Sequence, residues 1–209
     1  MKGTHAAIIL ACMAISITHN VCCKELKPKP VAISMQHPLI EAKAGYFFFT
    51  DSTMRHVYDK GGFDLQLCGS YPIYKVLHVY GSVEWFEKSG HSLSGHQRTS
   101  IWEVPLSLGL RSVFPIATHI EYYLTIGPRY FFVHAHNHSH DVPKNMHADG
   151  CGGFANTGFL CIIGKHFTID FFGEYSYKRL HFHSKKSETQ GHTVQVGGLT
   201  FGGGLGYSF

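Results

Sequence analysis

The chain is short of charge and without a long hydrophobic run. Charged residues make up 15% of its 209 residues, well below the roughly 25% of a typical soluble domain. The formal balance of +4 is scattered along the chain, so no basic stripe points to a nucleic-acid partner. The apolar run AAIILACMAISI, Ala6 to Ile17, falls short of the roughly 20 residues a spanning helix needs. Mean hydropathy of −0.04 excludes a polytopic helical membrane protein. It does not exclude a membrane β-barrel, whose alternating strands average out. Past Ile40 there is no helical period, no internal repeat and no second domain.

The front end reads as a secretory signal: Lys2, then the short apolar run, then small residues before a cut between 20 and 24. Residues 1–23 are assigned to it. Its removal takes Lys2, Cys12, Cys22 and Cys23 and leaves a net charge of +3. Acylation at Cys12 or Cys22 fits the preceding residues badly. Cys68, Cys151 and Cys161 remain. An odd number excludes a complete disulfide framework, and no CxxC spacing occurs, so all three are expected free. KELKPKP, Lys24 to Pro30, opens a leader over 24–39.

What is present is alternation. In Ile101 to Phe114, Trp102, Val104, Leu106, Leu108, Leu110 and Phe114 share one face; Glu103, Pro105, Ser107, Gly109 and Arg111 share the other. The same period of two recurs over 63–71, 76–87, 119–133 and 167–179, and more weakly over 41–50, 152–163 and 193–209. That makes eight expected strands. Short connections near 71–75, 114–117 and 164–167 alternate with long polar ones near 50–62, 88–99, 134–150 and 184–192. Short turns at one end and long loops at the other are the habit of outer-membrane barrels.

Composition decides which face is inside. A water-exposed face is rich in Lys, Glu, Gln and Thr. Here the polar face holds Gly, Ser, Pro and single charges of both signs, which suits a narrow, filled lumen. The apolar face carries Leu, Phe and Trp, with Trp85, Trp102, Tyr130 and Phe132 towards strand ends, like a lipid-facing band with aromatic girdles. The last residues, GLTFGGGLGYSF, place Gly204, Tyr207 and Phe209 in a pattern similar to the assembly signal of outer-membrane barrels, with Gly202 where a polar residue is usual. Residues 40–209 thus resemble the small eight-stranded outer-membrane barrels, the OmpA transmembrane-domain, OmpX and OmpW group. The resemblance implies an antiparallel up-and-down barrel in a bacterial outer membrane. It also implies lipid and lipopolysaccharide around the wall, the barrel-assembly machinery as a partner, and surface loops free to meet an extracellular or host ligand.

Three constellations carry chemistry. Glu84, Glu103, Glu121 and Glu174, with Asp64 and Asp170, face Arg111, Arg129, Lys43 and Lys178 as candidates for a lumen charge network. Unpaired buried charge is costly, so these groups are expected to pair, and the resemblance implies the same. The stretch HAHNHSH puts His134, His136, His138 and His140 in one row beyond the oily Tyr130 to Val133. Neutral imidazole ligates Zn, Cu or Ni, so the row is a candidate divalent-metal site; no other cofactor is implied. A hydrophilic loop titrating near neutral pH is the plain alternative. Ser139 beside His138 and His140, and Ser184 after His183, raise a lipid-modifying hydrolase. Adjacent strand residues point to opposite faces, and no GxSxG elbow occurs, so no enzyme is expected. The role is then structural, adhesive or surface-binding, with an OmpW-like barrel that passes or holds a small molecule or metal ion as the alternative.

Overall fold

The computed structural model describes residues 37–57, 61–91, 98–137, 145–182 and 192–209. The expected signal peptide and most of the leader lie outside them. The strands are β1 (Leu39–Phe49), β2 (Gly61–Tyr74), β3 (Leu77–His91), β4 (Arg98–Ala117), β5 (Ile120–Asn137), β6 (Asn145–Ile163), β7 (Phe167–Phe182), β8 (His192–Val196) and β9 (Gly198–Ser208). A short helix, α1 (Ser52–Val57), stands between β1 and β2. Each strand from β1 to β7 pairs antiparallel with the next. β9 pairs with both β7 and β1, which closes the barrel.

The eighth stave is β8 and β9 together. Both run against β7, and the pairs Lys178↔Val196 and Tyr175↔Leu199 keep one register across the break. Gly197 makes the break at φ 126°, a conformation in which only glycine is unstrained. A Cβ there would also meet the Ser176 carbonyl oxygen at 2.6 Å.

Alternation sorts the side chains as the composition demands. In β1 every second residue is buried over its whole length. Trp102, Leu106, Leu108 and Leu110 are exposed on the outer wall, whereas Glu103, Ser107 and Arg111 are buried inside. A water-soluble barrel would show the reverse, because apolar burial is the main drive to fold. Exposed Leu, Phe, Tyr and Trp side chains come from every long strand, and the pairing of β9 with β1 and β7 leaves no open edge in that ring among the described residues to lose hydrogen bonds in lipid. The chain is therefore built to span a bilayer.

Two sequence expectations need correction. The loops expected at 88–99 and 134–150 begin and end in strand, because β3 runs to His91, β4 starts at Arg98, β5 runs to Asn137 and β6 starts at Asn145. A tilted strand needs only about 9–11 residues to cross the hydrocarbon. β4 has 20 residues and β5 has 18, so their ladders continue past the bilayer with polar side chains. The expected loop over 50–62 contains α1. Asp51 caps it, its Oδ1 accepting from the Met54 N–H at 3.1 Å. Six residues are too few to show a helical period.

Candidate functional site

The short connections and the ends of β1 and β9 lie together at one end, here called the turn end. The last residues of β1, β3, β5 and β7 and the first of β2, β4, β6 and β8 lie at the opposite end, here called the loop end. Between the two ends the lumen is filled in layers.

Nearest the turn end, Leu39, Val113, Tyr123, Leu160 and Phe172 form an apolar cluster. An ionic layer meets it. Glu41 Oε2 receives Arg111 Nη1 at 2.6 Å, and Lys43 Nζ lies 3.3 Å from Glu41 Oε1 and 2.5 Å from Asp170 Oδ2. The Tyr123 hydroxyl donates to Asp170 Oδ2 at 3.0 Å. The Arg111 guanidinium lies 4.4 Å from the ring centroids of both Tyr80 and Tyr123, a desolvated cation–π sandwich. Cys68, Tyr80 and Phe154 then make a middle apolar layer.

A second ionic layer follows towards the loop end. Arg129 pairs with Glu84 and, through Nη1, with Glu174 Oε1 at 2.6 Å. Its Nε donates to Ser107 Oγ at 2.8 Å. Asn156 Nδ2 donates to Glu174 Oε2 at 2.9 Å, and Gln66 Nε2 to Asp64 Oδ2 at 2.8 Å. Glu103 is buried beside them, and its Oε2 has no hydrogen-bond partner among the described residues. It lines a small void with Asp64, Glu84 and Arg129, with room for about one water molecule. Above this layer, Phe47, Phe49, Phe86, Ile101, Phe131, Val133 and Val196 close the lumen, and Met54 of α1 packs into them.

The candidate network of Glu84, Glu103, Arg111, Glu121, Arg129 and Glu174 is thus entirely buried, but it is not one network: Arg111 belongs to the first ionic layer, Glu84, Glu103, Arg129 and Glu174 to the second, and Glu121 lies apart from both at the turn end of β5. Glu84, Arg129 and Glu174 come together. Arg111 pairs elsewhere, with Glu41, a residue the sequence reading passed over because β1 alternates weakly in hydropathy. Lys178 is not part of either layer: its Nζ donates to the Cys151 carbonyl at 2.8 Å in an exposed position. The aromatic seals were also missed, because apolar residues were read as outward by default.

The histidine row is only partly described. His134 and His136 are on β5; His138 and His140 lie outside the described residues. The His134 ring stacks on Trp102 at 5.2 Å, which stacks on Trp85 at 5.7 Å. Among the described residues, no three His, Cys, Asp or Glu side chains form a group able to hold a metal ion. Ser139 and Ser184 lie outside the described residues. In the chain-end pattern, Tyr207 and Phe209 share the outer wall, their rings 5.2 Å apart. Gly204 instead opposes Lys43 across the ladder, where a Cβ would stand 2.8 Å from Lys43 Cγ. Cys68, Cys151 and Cys161 are free.

With this architecture in view, solved structures supply its likeness. The chain aligns with the outer membrane protein OprG from Pseudomonas aeruginosa at TM-score 0.63 and 15% identity, covering 84% of this chain and 97% of that one. It aligns with the Escherichia coli outer membrane protein W at 0.54 and 15%, covering 83% and 98%. Ail, the attachment invasion locus protein of Yersinia pestis, in complex with the heparin analogue sucrose octasulfate, matches at 0.54 and 17%, covering 84% and all of that chain. The fold is that of the small eight-stranded bacterial outer-membrane barrels. No protein-family model and no curated protein sequence matches the chain.

Proposed function

We propose that the protein is an outer-membrane barrel that acts through its loop-end surface, in an adhesive or surface-binding role, and conducts nothing through its lumen. The observation that carries this reading is the double seal: apolar clusters stop both ends of the lumen, with ionic layers packed between. Water and ions have no continuous polar path through such packing. The loop-end rim, by contrast, presents Arg55 and His56 on α1 and carries Lys88 and Lys178 near its strand ends. That excess of cations suits a polyanionic surface ligand, the class to which the sulfated sugar in the Ail complex belongs. Lipopolysaccharide around the wall and delivery by the barrel-assembly machinery through Tyr207 and Phe209 belong to the same reading. So does the absence of catalysis: His166 Nδ1 bonds the Ser208 carbonyl, not a hydroxyl.

The test is paired. In planar bilayers the purified barrel shows no steady conductance, and on immobilised heparin analogue it binds in a salt-sensitive way. Sustained ion current would overturn the sealed-lumen reading. Binding unchanged in an Arg55→Ala, Lys88→Ala, Lys178→Ala variant would remove the rim from it.

One observation favours the OmpW-like alternative. An apolar groove of about 660 Å³ crosses the wall from β1 to β6, where Gly69 and Gly81 oppose one another. A small hydrophobic molecule fits such a groove. Its floor is the sheet itself, backed by Ser82, Ser107 and Arg129, so it leads nowhere without strand separation. Gly69→Leu fills it, since nothing stands within 4 Å of a Cβ there. Loss of uptake of an apolar fluorescent probe in that variant would revive transport.

A further inference from the structure

The helix α1 does different work on its two faces. Met54 turns inward and joins the apolar cluster that closes the lumen. Ser52, Arg55 and His56 stand at i, i+3 and i+4, so they share a face, and all three are exposed. Together with Phe48 and Phe49 at the end of β1 they line an open pocket of about 440 Å³, within the size range of small-ligand sites. Among the described residues no carboxylate lines it. Asp51, the acid just before α1, accepts from the Met54 N–H through Oδ1 at 3.1 Å, so it is turned to the helix it caps. The pocket therefore offers a guanidinium, an imidazole and a hydroxyl to an anion.

The level of this pocket on the barrel selects its ligand. Phe48 is exposed on the outer wall. Its ring lies 4.8 Å from that of Tyr46 and 6.5 Å from that of Phe201, and Tyr46 lies 5.8 Å from Phe63. Rings from β1, β2 and β9 thus form a continuous aromatic patch on the lipid-facing wall. Aromatic girdles of this kind sit at the membrane–water interface, and the longer connections of such barrels face outward from the cell. Arg55 and His56 stand immediately beyond the patch, at the depth of the phosphates of the outer leaflet. A guanidinium fork matches phosphate oxygens in bidentate geometry. A soluble polyanion can use these cations but gains nothing from Phe48. A phosphorylated lipid uses both, its headgroup on the cations and its first carbons against the ring.

We propose that Ser52, Arg55 and His56, with Phe48 beneath them, bind the phosphorylated headgroup of an outer-leaflet lipid. This rests on the reading of the loop end as the binding surface and divides that surface. Arg55 and His56 take the membrane's own phosphate, which leaves Lys88 and Lys178 to a soluble polyanion.

The probe is bisphosphorylated lipid A, compared with the same lipid after dephosphorylation. Each is added to the barrel in detergent, and the retained lipid is measured by native mass spectrometry. We expect saturable retention of the phosphorylated form, with the dephosphorylated form at least about tenfold weaker. An Arg55→Ala, His56→Ala variant should weaken the phosphorylated form by at least about tenfold, as loss of charge-assisted hydrogen bonds does. Arg55→Lys should weaken it less, because the charge stays and the fork is lost. A Lys88→Ala, Lys178→Ala variant should leave retention unchanged. Heat-modifiable gel mobility selects the variants that fold, and Phe48→Ala, also expected to weaken retention, is the second arm should the double variant fail to fold. The proposal falls if neither the Arg55→Ala, His56→Ala variant nor Phe48→Ala weakens retention, or if the dephosphorylated lipid is held equally well. It falls too if inorganic phosphate displaces the lipid at equal concentration, which would make the site one for a free anion. Failure of the barrel to bind immobilised heparin analogue would overturn the soluble-ligand reading and leave the lipid result standing.

Discussion

The two ionic layers of the lumen are built from the same residue types and differ in balance. The layer near the turn end sets Glu41 and Asp170 against Lys43 and Arg111, two acids to two bases, all in contact. The layer near the loop end sets Asp64, Glu84, Glu103 and Glu174 around Arg129 alone. Burial of a charge is repaid only by excellent pairing. In the first layer every charge touches an opposite one, although Glu41 Oε1 and Arg111 Nη2 have no hydrogen bond among the described residues. The second leaves Glu103 Oε2 without a hydrogen bond among the described residues. Charge in the lumen therefore does not mean one thing, and mutations should separate the two cases.

The largest effect is expected at Arg129. Replacement by Met keeps the length but strips from the acid-rich layer its only cation among the described residues, leaving Glu84 and Glu174 buried without an ion-pair partner there. Breaking a buried pair in this way costs about 3–5 kcal/mol. Urea unfolding in detergent micelles, followed by gel mobility, should show a lower midpoint; an unchanged midpoint would mean that the layer contributes nothing. Glu41→Gln is expected next in size. The amide still accepts from Arg111 Nη1, but Lys43 and Arg111 then share the single carboxylate of Asp170. Weakening hydrogen bonds to charged groups costs about 1.5–3 kcal/mol, and the same midpoint measures it.

The sequence declared the barrel because period-two alternation is visible wherever one face is lipid and the other polar. Ile101 to Phe114 shows this without help. It declared the buried charges for the same reason: Glu103 and Arg111 lie in a lipid-facing strand and have nowhere else to go. It could not declare the partners. Glu41 and Arg111 are joined by barrel closure, and strand tilt and register that set this meeting leave no local trace. Nor could it separate inward from outward aromatics in Tyr46 to Phe49, where Phe47 and Phe49 seal the lumen and Phe48 faces out. Four consecutive aromatic residues show no alternation in hydropathy. The register pairing of His134 with His147 is hidden because a polar stretch reads as loop, whereas a strand that has left the bilayer is polar and still paired.

The smallest effect is the sharpest test of the comparison. Glu103→Gln has the same chemistry as Glu41→Gln, one oxygen exchanged for an amide nitrogen, yet the opposite sign is expected. In the balanced layer the change removes half of the negative charge that two cations need. In the acid-rich layer it removes a surplus carboxylate that faces Asp64 and Glu84, and it adds N–H donors to a void whose lining holds three carboxylates and one guanidinium. A single new hydrogen bond contributes about 0.5–1.5 kcal/mol, so the unfolding midpoint should hold or rise slightly. If Glu103→Gln lowers the midpoint as far as Glu41→Gln does, the two layers are equivalent and the excess of acid near the loop end has been compensated by a bound cation or ordered water in the void beside Glu103.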